Sequence, residues 1–372
     1  MNDNPLRKLG TLGQSIWLDY IRRELIVSGD LRRMIEEDGL RGMTSNPSIF
    51  EKAIAGNRDY DDDIRAMVPE GRGVKEIYEV LSQRDVQGAA DEFRSLYDRT
   101  EAKDGYVSLE VNPHLAHDTS GTMKEARRLW DALNRPNVFI KVPATTEGLP
   151  AIQQLIGEGI NVNVTLLFGI PRYRQVVEAY LAGVEARAAQ AKPVKTMASV
   201  ASFFVGRIDS LVDPLLEKLM AKGGKDANLA KTLHGQVAIA SAKVAYQVYK
   251  EIFDGVRFRK LAGKGVHTQR LLWASTGTKN PDYSDVKYIE SLIGRDTVDT
   301  VPVETLNAYR DHGEPKDRIE QEVAEARRML DQLPELGISI DKVTQQLEDE
   351  GVEKFSKSFD KVMETLEKAV RK

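Results

Sequence analysis

Short runs of apolar residues recur along the chain, and most lead into a longer stretch whose apolar positions return every three or four residues. The first pattern is that of strands and the second that of amphipathic helices. Strand-like runs fall at 15–19, 40–44, 106–111, 137–142, 160–165, 196–202, 271–275 and 297–302. Helical patterns occupy 21–37, a long insertion that includes the acidic run at 59–63, and then 119–133, 148–156, 173–191 and 208–220. Eight strands separated by helices predict an α/β fold, a single closed (β/α)8 TIM barrel, because each parallel return needs a crossover connection. An open doubly wound sheet is the alternative.

After residue 302 the texture changes to charged helical patterns at 316–333 and 341–372, separated by a turn at 334–337. Val352, Phe355, Phe359, Met363 and Leu366 follow helical spacing and give the last of these an apolar stripe. The expected organisation is a catalytic barrel over 1–313 and a C-terminal helical extension over 314–372, packed on the barrel's outside. Internal repeats and low-complexity segments are absent from the sequence.

Several strand-like runs are interrupted near their C-terminal ends by a polar residue: Asp19, Glu110, Lys141, Asn163, Ser202 and Ser275. Such residues are costly in a parallel sheet covered on both faces, whereas at the top of a barrel they converge where barrel enzymes do chemistry. Lys141 is the sharpest of them. The period of two puts Asn137, Phe139 and Lys141 on one face, and Val138, Ile140 and Val142 on the other. If the aliphatic set meets the helices, Lys141 points into the barrel, where burial disfavours the ammonium and favours the amine that attacks a carbonyl. A lysine snorkelling to solvent or paired with a carboxylate is the plainer reading. Asp19 and Glu110 end the first and third strands and face the same opening, as the two proton-transfer groups of a Schiff-base reaction would. Taken singly, each reads equally well as a strand-end or capping acid.

Composition narrows the chemistry. With 372 residues and no Cys, the chain has no disulfide framework, thiol nucleophile or Cys-based metal site. A net charge of -4 gives no basic footprint for nucleic acid or an anionic membrane. The polar N-terminus lacks an apolar core behind it, and no run approaches the roughly 18 apolar residues of a spanning helix. The expectation is a cytoplasmic protein, monomer or homodimer, with neither nucleic acid nor membrane as partner. His114 and His117 sit three apart without a recognised metal spacing, so no metal is expected, and neither a Walker A nor a G-x-G-x-x-G motif occurs, so nucleotide hydrolysis and dinucleotide binding have no motif behind them. Phosphate is a better prospect. The loop after the seventh strand runs Ser275, Thr276, Gly277, Thr278, Lys279, and Arg207 opens the helix after the sixth, both at the usual phosphate end of a barrel.

Five segments carry a resemblance: Gly42 to Ser48 (GMTSNPS), Val107 to Val111 (VSLEV), Ile140 to Pro143 (IKVP), Asn161 to Phe168 (NVNVTLLF) and Ser202 to Arg207 (SFFVGR). In this order, and over residues 11 to about 313, the chain resembles the transaldolases of the pentose phosphate pathway, particularly their longer bacterial type. The resemblance implies a (β/α)8 barrel and a cofactor-free, reversible transfer of a dihydroxyacetone unit between phosphorylated sugars. Sedoheptulose 7-phosphate and glyceraldehyde 3-phosphate would give erythrose 4-phosphate and fructose 6-phosphate. It also implies that Lys141 forms the Schiff base, with Asp19 and Glu110 as acid/base partners and Glu110 acting with Thr165 and a water. Asn46 and Asn163 would hold the dihydroxyacetone hydroxyls, Ser108 and Ser202 would line the site, Phe204 would shape its wall, and Arg207 would meet phosphate.

One departure concerns the phosphate. Shorter transaldolases follow strand seven with Ala-Ser-Phe-Arg; here Ser275 aligns but the Arg position falls on Gly277, leaving Lys279 to supply the charge. The closest rival function is a Schiff-base aldolase that releases free dihydroxyacetone. Fructose-6-phosphate aldolase-like relatives tend to carry Gln at the Glu110 position and Tyr at the Phe204 position, so both residues favour transfer. A metal-dependent barrel isomerase using His114 and His117 and a non-catalytic barrel are the remoter alternatives.

Overall fold

The computed structural model describes residues 4–55 and 57–371; the first three residues of the polar N-terminus and the last residue of the helix expected over 341–372 lie outside them. Eight parallel strands form a closed barrel: β1 Gln14–Asp19, β2 Gly42–Thr44, β3 Tyr106–Glu110, β4 Val138–Pro143, β5 Val162–Leu167, β6 Ser199–Phe204, β7 Arg270–Ala274 and β8 Thr297–Val301. The pairing of β8 with β1 closes the sheet and removes the open doubly wound alternative.

The barrel interior is stacked in layers. At the N-terminal end Arg270 pairs with Asp104 and donates to Ser15, which donates in turn to Asp104. Above lies an aromatic floor, with Tyr106 and Phe139 stacked at 4.3 Å and Trp17 against Phe139 at 6.1 Å. The floor explains Gly42, since a Cβ there would stand 2.5 Å from the Trp17 ring. Over the floor comes the polar layer. The register places Lys141 beside Glu110 on one side and Asn163 on the other, and Asp19 beside Thr44.

The helices depart from expectation in places. The single helix expected over 21–37 is three pieces, Arg23–Val27, Asp30–Arg33 and a π-helical turn Met34–Asp38, because Gly29 takes φ 84 between the first two. The helix expected over 316–333 starts only at Val323 and gives way to a 3-10 turn at Leu333–Leu336. Residues before it are pinned instead of wound: the amides of Arg318 and Ile319 both donate to the Ile293 carbonyl, and the Ile319 side chain is fully buried. Helices Lys225–Leu233, Val237–Phe253 and Val256–Ala262 fill the stretch between β6 and β7 that periodicity left unassigned.

The C-terminal helix Ile340–Val370 carries the expected stripe: Phe355, Phe359 and Leu366 are buried, with Val352 and Met363 partly so. It does not stay on the barrel's outside. It packs on helices Pro47–Ala55, Val74–Arg99 and Gly206–Lys222 and on β5, and it reaches the mouth of the barrel. Gly351 makes the approach possible, because a Cβ there would already lie 3.0 Å from Leu166 at the end of β5. Among the described residues no helix is long and apolar enough to cross a membrane.

Candidate active site

A cavity of ≈ 290 Å³ opens at the C-terminal ends of the strands, lined by Asp19, Thr44, Asn46, Lys141, Ser202, Phe204, Arg207, Ser275 and Lys279 among others. Alternation along β4 fixes the aim of Lys141, which continues the face that carries Phe139 in the aromatic floor. Its Nζ donates to the Ser45 carbonyl at 3.0 Å and stands 3.3 Å from Oε2 of Glu110, both side chains almost wholly buried. Neither Glu110 oxygen accepts an aligned hydrogen bond. Burial pushes the Glu110 carboxyl up, and the Lys141 charge opposes that rise.

Asp19 ends β1 and lines the same opening. Thr44 donates to its Oδ1 at 2.7 Å and lies 2.6 Å from the Thr300 hydroxyl. Burial raises the Asp19 carboxyl above the usual range, against the charges of Lys141 and Arg207 and the Thr44 hydrogen bond. The site therefore presents one amine and two carboxyls, each carboxyl biased towards holding a proton. Such a set can add an amine to a carbonyl and shuttle the protons that the addition and its reversal require.

The neutral polar residues form a relay behind the amine. Ser202 donates to Asn163 Oδ1 at 2.7 Å, and Asn163 Nδ2 donates to Ser108 Oγ at 3.1 Å. This fixes the Asn163 amide and commits part of its hydrogen-bonding capacity. Asn46 accepts from the Ile49 amide at 3.1 Å, at the start of the helix Pro47–Ala55, while still lining the cavity. Thr165 is fully buried and its hydroxyl has no partner among the described residues, one residue before Leu166, whose φ of 54 marks the irregularity in the β5–β6 pairing. Phe204 packs against Phe168 at 5.1 Å and faces the cavity as wall.

Arg207 lies in the first turn of the helix Gly206–Lys222, with a buried Nε that has no hydrogen-bond partner among the described residues. Ser275 (φ 57) turns the chain out of β7, and its carbonyl accepts from the Gly206 amide, tying this loop to that helix start. Thr276 anchors the loop to β8 by donating to Asp299 at 2.8 Å. A side chain at Gly277 would meet Pro302, with its Cβ 2.8 Å from that ring, whereas Lys279 lines the cavity. Partial desolvation, then the charges of Arg207 and Lys354, bring the Lys279 ammonium down to about 8.

All the expected residues except Ser108, Asn163, Thr165 and Glu110 line this cavity directly; those four lie beneath or beside Lys141. His114 and His117 take separate partners away from it, Asp360 and Glu147. Thr44, Ser45, Thr300, Lys52, Lys354 and Phe355 were not anticipated. Thr300 was reachable by alternation along β8; Lys354 and Phe355 were not, since nothing in a helical stripe says that the helix crosses the barrel mouth.

The profile of the Transaldolase/Fructose-6-phosphate aldolase family matches residues 16–366. The chain is 47% identical to a transaldolase of Trichodesmium erythraeum, covering 100% of this chain and 99% of that one. It is likewise 47% identical to transaldolase 2 of a Nostoc species, over 99% of this chain and 98% of that one. With a transaldolase of Thiobacillus denitrificans the identity is 46%, over 96% and 98%.

Proposed function

The chain belongs to the transaldolase/fructose-6-phosphate aldolase family, and we propose that it acts as a transaldolase with Lys141 as the Schiff-base lysine, Asp19 and Glu110 as its proton-transfer partners. The substrates are phosphorylated sugars. The reaction is the reversible passage of a dihydroxyacetone unit from sedoheptulose 7-phosphate to glyceraldehyde 3-phosphate, yielding erythrose 4-phosphate and fructose 6-phosphate. The observation that carries the residue assignment is the buried amine of Lys141, 3.3 Å from Glu110, in a cavity that Asp19 also lines.

The chemistry runs in balanced steps. The neutral amine of Lys141 adds to the ketose C2 carbonyl, and the resulting carbinolamine loses water to leave the imine. Glu110, acting with the Thr165 hydroxyl and a water, supplies and recovers the proton of that dehydration. Asp19 takes the proton of the C4 hydroxyl as the C3–C4 bond breaks. The bond's electron pair enters the imine, giving an enamine on Lys141 and a free aldose phosphate. The aldehyde of the acceptor is then attacked by the enamine carbon, its oxygen takes the proton back from Asp19, and water releases the new ketose. Asn46 and Asn163 hold hydroxyls of the retained three-carbon unit, Ser108 and Ser202 fix the Asn163 amide, and Phe204 limits water at the enamine. Arg207, Ser275 and Lys279 take the phosphate.

A Schiff-base aldolase is the second reading, and Glu110 and Phe204 weigh against it. The decisive experiment is borohydride reduction in the presence of fructose 6-phosphate, followed by peptide mass mapping. The expected result is a reduced dihydroxyacetone adduct on the Lys141 peptide, absent from Lys141→Ala. An unmodified Lys141 peptide would sink the assignment. Dihydroxyacetone released without an acceptor at the rate of transfer would turn the reading to the aldolase.

A further inference from the structure

We propose that the C-terminal helix Ile340–Val370 completes the substrate-phosphate subsite, with Lys354, assisted by Lys52 of the helix Pro47–Ala55, closing on the phosphate from the side opposite the barrel loops. The proposal rests on the transaldolase reading and adds to it a specificity-determining residue on an element outside the barrel.

Besides Lys141, four cationic side chains from four segments line the cavity: Arg207, Lys279, Lys354 and Lys52. Most Arg side chains of this protein, and many lysines, have a carboxylate within ion-pairing distance, yet among the described residues none of these four does. Glu350, one turn before Lys354, and Asp19 lend Arg207 partial compensation without pairing with it. The cations instead act on each other. The charge of Arg207 is the largest influence lowering the Lys354 ammonium, followed by desolvation and the charge of Lys52, and Lys354 in turn helps to lower Lys279. Like charges held together without a counter-charge are unfavourable in the free protein, and a bound dianion relieves that repulsion at every member of the cluster. A sugar phosphate brings such a dianion to this cavity.

The placement of Lys354 is enforced by packing. Gly351 lets the helix close on Leu166, Phe355 buries the next position against the mouth, and Ser358 hydrogen-bonds Ser48 at 2.8 Å. Glu353, beside Lys354, pairs with Lys357 on the solvent side, while Lys354, exposed at the rim, lines the cavity. Three of the clamp's members are lysines, whose flexible stems let one subsite follow phosphates borne on six- and seven-carbon ketoses.

The test compares kcat/KM for fructose 6-phosphate with that for unphosphorylated fructose, because the ratio isolates recognition of the phosphate. Lys354→Met is expected to lower this ratio about tenfold and to weaken competitive inhibition by inorganic phosphate to a similar extent; Lys52→Met does the same to a smaller degree, and Lys354→Arg restores most of both. A merely structural role for Lys354 would lower both substrates together, leaving the ratio flat, and would overturn the proposal. So would unchanged phosphate inhibition in Lys354→Met. Borohydride trapping on Lys141 in the same variant separates the two readings: trapping with a flat ratio rejects the clamp and keeps the transaldolase, whereas no trapping even in the wild type rejects the reading beneath it.

Discussion

Raising the pH from 7 to 9 should strip this enzyme of part of its preference for a phosphorylated substrate, because the Lys279 ammonium titrates near 8. The sign follows from the cause. Desolvation and neighbouring cations lower the affinity of the free enzyme for this proton, while a bound dianion restores it, so phosphate binding weakens as pH climbs past the free-enzyme value. If only the protonated form binds well, the apparent dissociation constant scales as 1 + 10^(pH − pKa), about 1.1 at pH 7 and about 11 at pH 9. The expected loss is about tenfold, or about 1.4 kcal/mol. The substrate itself stays dianionic across this range, its second pKa being about 6. In a ping-pong reaction kcat/KM for the donor depends only on the donor half-reaction and reports free-enzyme ionisations. The assay is therefore the ratio of kcat/KM for fructose 6-phosphate to that for fructose, measured at intervals from pH 7 to 9, so that ionisations affecting both substrates alike cancel. Lys279→Arg should flatten the profile, since a guanidinium stays charged throughout. A ratio that does not change with pH in the wild type, or one that falls equally in Lys279→Arg, would refute the reasoning.

Three further outcomes follow from named contacts. Glu110→Gln keeps the shape of the group beside Lys141 but cannot exchange a proton, so kcat should fall by about 10²-fold or more with a much smaller change in KM in steady-state transfer assays; an unchanged kcat would remove Glu110 from the chemistry. Gly42→Ala puts a Cβ into the Trp17 ring of the barrel floor and should cost about 1–3 kcal/mol in guanidinium unfolding, whereas no loss would mean the floor is looser than its 2.5 Å contact requires. Asp299, fully buried with one oxygen unpaired, is raised to about 8, so between pH 4 and 8 the native state holds a proton that the unfolded chain releases and stability falls as pH rises, by up to about 1.4 kcal/mol per unit. Asp299→Asn still accepts from Thr276 and should abolish that slope; a denaturation midpoint with the same pH dependence in both proteins would count against it.

By itself, the sequence determined the eight strands and their polar ends, because strand periodicity is a local property and a parallel sheet penalises buried polar groups wherever they interrupt it. That penalty made Lys141, Glu110 and Asp19 stand out, and the same alternation along β4 fixed which way Lys141 points. The closing of the sheet was legible only as a count of strands; the β1–β8 pairing made it a barrel. Tertiary structure decided everything that depends on distant segments meeting. The Ser45 carbonyl under Lys141, the Thr44 and Thr300 hydroxyls around Asp19 and the contact of Gly277 with Pro302 each join residues from different strands or loops. The C-terminal helix shows the division most plainly. Its apolar stripe announced that one face would be buried, but not against what. The seating of Gly351 on Leu166, with Phe355 and Ser358, brings Lys354 to the barrel mouth, and a repeating pattern could not show it, because it records which side of a helix avoids water and carries no information about the surface it meets.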